Sequence, residues 1–149
     1  MNYLTEAEKG YLAGIIDGEG CIRLARKRKT IISYTAYLIV TNCNLELLES
    51  LKTTTGLGLI YKVKNSSNPN WNPCHRWQVV SKQARELLEM LLPYLRLKKE
   101  IARLVLSAPI ISQGWKRWKM KNYPIEEIKL KQEEIFEQIK ILNHRGIKS

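Results

Sequence analysis

The sequence predicts an α+β domain in the order αββαββα, an antiparallel sheet backed by helices, with further helices at its C-terminal end. Three observations carry that prediction: a capped helix at the start, a switch to two-residue hydrophobic alternation after it, and a second strand-strand-helix pattern in the next half. With 149 residues, 44 % of them hydrophobic, one domain spanning 1–149 can bury its own core.

The first helix starts at Thr5, where Glu8 three residues on completes a capping box, and runs to about Asp17. Its small residues Gly10, Ala13 and Gly14 share one face, while Leu12, Ile15 and Ile16 supply apolar surface elsewhere. Glycine costs roughly 1 kcal/mol per helical position relative to alanine, so two of them call for close approach of a second backbone. After Gly18-Glu19-Gly20 the period becomes two. Ile22 and Leu24 alternate with Arg23, Ala25 and Lys27, and Arg26 to Thr30 reads as a turn. A second run follows from Tyr34 to Thr41, with Ala36, Leu38 and Val40 on one face and Thr35, Tyr37, Ile39 and Thr41 on the other. Asn42 or Asn44 then caps a helix that carries Leu45, Leu48 and Leu51 and stops before Gly56.

Leu57 to Lys64 and His75 to Val80 repeat the strand pair across the Asn/Ser/Pro-rich loop Asn65 to Pro73, and a leucine-rich helix covers about Lys82 to Leu92. Leu97 to Leu106 reads as helical. Pro109 to Lys121 is basic, with Trp115 and Trp118 read as core packing and, with Lys116, Arg117 and Lys119, as DNA contacts in the alternative. The last helix, from about Pro124 to Leu142, has Glu126 and Glu127 in its first turn and a stripe of Ile125, Ile128, Ile135, Ile139 and Leu142.

Only 8 Gly and 5 Pro, with 26 % charged residues, exclude collagen-like and low-complexity classes. No apolar run approaches the roughly 18 residues a bilayer requires, and MNYLTEAEKG is too acidic for a signal peptide, so a soluble intracellular protein is expected. Cys21, Cys43 and Cys74 show no CxxC spacing, so neither a disulfide framework nor a zinc site is expected. With 25 Lys+Arg against 14 Asp+Glu, the net charge of +11 asks for a polyanionic partner. The charge recurs along the chain instead of gathering on one amphipathic helix, which favours nucleic acid over a membrane surface.

The chemistry concentrates at Asp17-Gly18-Glu19. Two carboxylates stand at the C-terminal end of a helix, where the macrodipole repels them. Either Asp17 bonds backbone amides in the turn and Glu19 is solvated, or a divalent cation compensates the charge through carboxylate and carbonyl oxygens. If two copies of the helix pack through Gly10, Ala13 and Gly14, two Glu19 carboxylates meet, an arrangement suited to metal-assisted phosphodiester hydrolysis on two strands.

The stretch Leu12-Ala13-Gly14-Ile15-Ile16-Asp17-Gly18-Glu19-Gly20 resembles the signature of the LAGLIDADG homing endonucleases, matching outright at Leu12, Ala13, Gly14, Ile16, Asp17 and Gly20. The resemblance covers essentially the whole chain. One copy of the motif implies a homodimer that cuts near-palindromic double-stranded DNA with Mg²⁺, a site that Mn²⁺ or Ca²⁺ can also occupy. It implies that Glu19 and the carbonyl of Gly18 bind metal, and that Asp17 is mainly structural, with a direct metal role left open. It places Asn42 where the family carries a Gln or Asn that orders water, although a plain helix cap remains the competing reading. Lys98 resembles the family's active-site lysine, with Lys99 as the alternative. The basic residue usual after the second strand is missing from Cys43 to Ser50.

By the same resemblance, the outer faces of the two hairpins would read DNA in the major groove. Strand parity nominates Arg23, Ala25, Lys27 and Lys29, then Thr35, Tyr37, Ile39 and Thr41, and in the second half Arg76 and Gln78 with Trp77 and Val79 inside. Lys62 and Lys64 join them if Tyr61 and Val63 pack inward; the residues leave the reverse parity open. An intron RNA maturase or a non-catalytic DNA-binding regulator of the same fold is the alternative function.

Overall fold

Thr5 starts the first helix as its spacing predicts: its hydroxyl accepts the Glu8 amide at 3.3 Å, and Glu8 Oε2 accepts the Thr5 amide at 2.8 Å. A computed structural model of the chain describes residues 1–28, 32–64, 70, 72–109 and 124–144. Helix α1 spans Glu6–Glu19, two residues beyond the predicted end, and buries Leu12, Ala13 and Ile16. Gly20 then turns the chain directly into strand β1. A Cβ there would lie 2.6 Å from the Ile16 carbonyl oxygen, so only glycine fits between helix and strand.

Strand β1 (Gly20–Arg28) pairs antiparallel with β2 (Ile32–Asn42), from Gly20 opposite Val40 to Arg28 opposite Ile32. The hairpin is thus longer than predicted, with the expected turn residues Arg26 to Arg28 still on the ladder. Helix α2 (Leu45–Thr55) is capped by Asn44, whose Oδ1 accepts the Leu47 amide at 3.1 Å, and closes at Gly56 with φ of +68°. Strands β3 (Leu59–Lys62) and β4 (His75–Val80) complete a four-stranded antiparallel sheet in the order β1-β2-β4-β3. Leu57, placed on a strand by the sequence, is instead a core residue, and its carbonyl accepts the Trp77 indole N–H at 2.9 Å.

Helix α3 (Ser81–Leu91), α4 (Lys99–Ser107) and α5 (Ile125–His144) follow. The αββαββα order is realised by α1 through α3, with α4 and α5 added. One face of the sheet carries Ile22, Leu24, Ala36, Leu38, Val40, Trp77 and Val79, all buried against helices. The other face is left open. Arg85 on α3 donates to the carbonyls of Val105 and Leu106, both at 2.7 Å, satisfying orphan acceptors at the end of α4. Burial holds its guanidinium below the usual value, opposed by the Glu89 charge.

One cysteine expectation is corrected. Cys43 and Cys74 form a disulfide, and Cys21 is free and exposed. Asn42 lies opposite His75 on the antiparallel ladder, so the next residue outward on each strand comes together. That pairing depends on register across 31 residues of sequence separation, which spacing does not reveal.

Candidate active site and nucleic-acid interface

The end of α1, the end of β2 and the start of α4 bring three predicted residues to one place. Glu19 is exposed at the last turn of α1, and Asn42 donates its side-chain amide to Glu19 Oε2. Asn42 is held for this: its own Oδ1 accepts the Asn44 amide at 2.8 Å, which leaves the amide nitrogens to face the acid. Because Asn44 is the helix cap, the competing cap reading of Asn42 falls away. Lys98, the residue preceding α4, donates its ammonium to the main-chain carbonyl of Asp17. Glu19, Asn42 and Lys98 therefore converge on the last turn of α1.

Asp17 takes the first of its two readings. Its Oδ2 accepts the Arg96 amide at 2.7 Å and its Oδ1 the Lys98 amide at 2.9 Å, so both oxygens serve the approach to α4. The metal role left open for Asp17 would share a carboxylate already bonded to two amides. Glu19 and the Gly18 carbonyl remain as hard oxygen donors of the kind that suit Mg²⁺ or Ca²⁺. Among the described residues, no group of three or more His, Cys, Asp and Glu side chains is gathered for a metal.

The exposed side of α1 carries a strip of glycine beside Tyr11, which is 56 % exposed. Gly10, Gly14 and Gly18 are exposed, and a Cβ on any of them meets nothing within 4 Å in its own chain. Ala13 is the correction here: it is 1 % exposed and belongs to the core. At about 100° per residue it rotates away from Gly10 and Gly14 toward Ile16. Ala7, also exposed, takes its place on the small-residue stripe.

On the open face of the sheet the register defines rows. Arg23 lies opposite Tyr37, with its guanidinium carbon 5.3 Å from the ring centre, and Ala25 lies opposite Thr35. Thr41, Arg76 and Tyr61 make another row, and Ile39 sits between Cys21 and Gln78. Ile39 has the predicted parity, yet flanking strands on both sides leave it 7 % exposed, which removes it as a contact residue. Lys62 is also corrected. It pairs with His75 and shares the parity of Ile60 and Trp77, so Tyr61 faces outward in its stead, and Lys64 lies past the end of β3. Tyr61 was invisible to alternation because β3 is a short edge strand with no fully buried residue. Lys29, Trp115, Lys116, Arg117, Trp118 and Lys119 lie outside the described residues, and only the backbone of Lys27 is described.

A family model described as a LAGLIDADG-like domain matches residues 6–91, more than half of the chain. The chain belongs to the LAGLIDADG family. Solved LAGLIDADG structures share its fold. The homing endonuclease I-CvuI, in complex with its target in the presence of Ca, superposes with a TM-score of 0.70 at 22 % identity, covering 91 % of this chain and 82 % of that one. The homing endonuclease I-TnaI gives 0.57 at 17 %, covering 97 % and 99 %. The meganuclease I-SmaMI bound to DNA gives 0.61 at 18 %, covering 83 % of this chain but 43 % of that one. Among curated protein sequences, none matches this LAGLIDADG chain.

Proposed function

We propose that the chain is a site-specific DNA endonuclease, one domain over 1–149, that works as a homodimer on a near-palindromic duplex with a divalent cation. The observation that carries this is the convergence of Glu19, Asn42 and Lys98 at the end of a helix that exposes Gly10, Gly14 and Gly18. Family membership and the net charge of +11 support it. Among the described residues, no helix is long and apolar enough to cross a membrane.

In this reading two α1 helices pack through Gly10, Gly14 and Gly18, bringing the two Glu19 residues toward the two-fold axis. Glu19 and the Gly18 carbonyl would hold the cation, with phosphates, water and the partner completing the shell. Structures of I-CvuI with DNA in the presence of Ca and of Mg support a divalent cation. When bound, the ion would supply charge stabilisation to a reacting phosphate. Asn42 orients the free side of the Glu19 carboxylate. Lys98 carries the positive charge that stabilises developing negative charge on the phosphate. The outer rows of Arg23, Tyr37, Thr35, Thr41, Arg76, Gln78 and Tyr61 lie against base edges and backbone, fixing which sequence is presented to Glu19.

The test starts from duplexes selected out of a randomised library by the full-length chain. With Mg²⁺ the selected site should be cut on both strands, and Glu19→Gln should abolish cutting while binding is kept. Undiminished cutting by Glu19→Gln overturns the active-site assignment. Tight Mg²⁺-independent binding of intron RNA without DNA cleavage would replace this reading by the maturase alternative.

A further inference from the structure

Near its distal end the β1/β2 hairpin carries two polar side chains on its inner face. Arg26 and Tyr34 lie directly opposite each other on the ladder, with the same parity as Leu24 and Ala36. Both are held by one residue, Glu133 of α5: Oε1 accepts from Arg26 Nη1 at 3.0 Å, and Oε2 accepts the Tyr34 hydroxyl. One turn on, the Phe136 ring packs against Tyr34 at 5.5 Å between centroids. Further along α5, Asn143 donates to the Ile22 carbonyl at 3.3 Å, and Ile135 and Ile139 enter the core. A helix outside the matched family domain thus clamps both strands of the hairpin from behind.

Apolar contact alone would leave the hairpin free to slide and twist against α5. A carboxylate that accepts from one guanidinium nitrogen and from a hydroxyl on adjacent strands restricts their placement relative to α5. Since successive residues alternate faces, fixing Arg26 and Tyr34 inside sets the direction of Ala25 and Thr35 outside, and through them the Arg23 and Tyr37 pair one row nearer the active site. The pair is only partly buried, with side-chain exposures of 27 % for Arg26 and 39 % for Glu133, so its net contribution to stability is modest. Geometry is its larger effect.

We infer that Glu133 is a specificity-determining positioning residue: by tying Arg26 and Tyr34 to α5, it sets the angle at which the distal half of the hairpin meets the outer base pairs of the DNA half-site. The inference rests on the endonuclease reading, because the surface it positions is that reading's DNA-binding face.

The experiment measures competition binding of the full-length chain to its library-selected duplex and to duplexes altered at single positions. Glu133→Ala should lower discrimination at the outer base pairs of each half-site about tenfold, while discrimination near the centre stays within about twofold of the starting protein. Tyr34→Phe, which keeps the ring on Phe136 and removes only the hydroxyl, should loosen the same positions to a smaller degree and covers the case in which Glu133→Ala folds poorly. Glu134→Ala, on the exposed side of the same helix, should change neither. Unaltered discrimination in both test variants overturns the inference, as does a uniform loss across all positions that follows the fall in Tm. If the starting protein itself selects no sequence, the endonuclease reading fails and this inference with it, an outcome distinct from specific selection that Glu133→Ala leaves intact.

Discussion

Asp17 and Lys98 hold each other twice: the Lys98 amide donates to the Asp17 carboxylate at 2.9 Å, and the Lys98 ammonium donates to the Asp17 main-chain carbonyl. The first bond, with that from Arg96, sets the carboxylate at the N-terminus of α4, where the helix dipole favours an anion. The repulsion Asp17 meets at the end of α1 is thereby offset by the start of another helix. Asp17→Ala leaves two amides without their acceptor and should cost about 1–3 kcal/mol, a fall in Tm of roughly 3–9 °C by thermal unfolding. An unchanged Tm would show that the two bonds carry no stability.

The second bond places one lysine of two at the last turn of α1, which also carries Glu19. Lys98→Met should slow single-turnover cleavage by about 10²-fold while DNA affinity stays within a few-fold, as expected when a charge acting on the transition state is removed. Lys99→Met, one residue into α4, should cut at nearly the starting rate. Equal losses from the two substitutions would assign both lysines to general electrostatics instead of catalysis.

The N-terminal cap gives a pH-dependent prediction. Glu8 is lowered from its ordinary 4.5 by the Thr5 backbone N–H first and the Thr5 hydroxyl second, with burial opposing. Glu6 is lowered chiefly by the Lys9 hydrogen bond, then by that from Tyr94. A carboxylate whose folded pKa is depressed contributes stability above its unfolded value and loses it as pH falls through the folded one. The Tm difference between the starting protein and Glu8→Gln should therefore be full near neutral pH and shrink as acid protonates Glu8. A difference that is constant from neutral pH down to about pH 3 would mean the charge contributes nothing.

Local signals were legible in the sequence, and relationships between distant elements were not. The capping box at Thr5 and Glu8 and the inward set of β1, β2 and β4 follow from short periodic patterns with one strongly apolar face. The parity of β3 has no such face to reveal it, so the choice between Lys62 and Tyr61 stays open until the register is known. At the candidate site, Glu19 stands in the signature and Lys98 follows from the wider family resemblance, whereas the freeing of Asn42 depends on its neighbour Asn44 taking the cap. The Cys43–Cys74 bridge and the Glu133 clamp join residues 31 and 107 apart, and only the folded register makes them neighbours.

Gly14 and Ala13 are adjacent in sequence and opposite in consequence. A Cβ on Gly14 meets nothing within 4 Å in its own chain, so Gly14→Leu leaves the protomer intact and should even favour α1, since glycine costs the helix roughly 1 kcal/mol relative to better formers. The same side chain stands in the way of a second backbone on that face. Sedimentation should then show dimers for the starting protein and protomers for the variant, with double-strand cleavage lost and the protomer fold retained by circular dichroism. Ala13 is 1 % exposed, so Ala13→Leu forces extra volume into a filled core and should destabilise the fold by about 1–3 kcal/mol. If Gly14→Leu leaves association and cleavage unchanged, the glycine strip of α1 is not the dimer contact, and the two-fold arrangement must be sought on another surface.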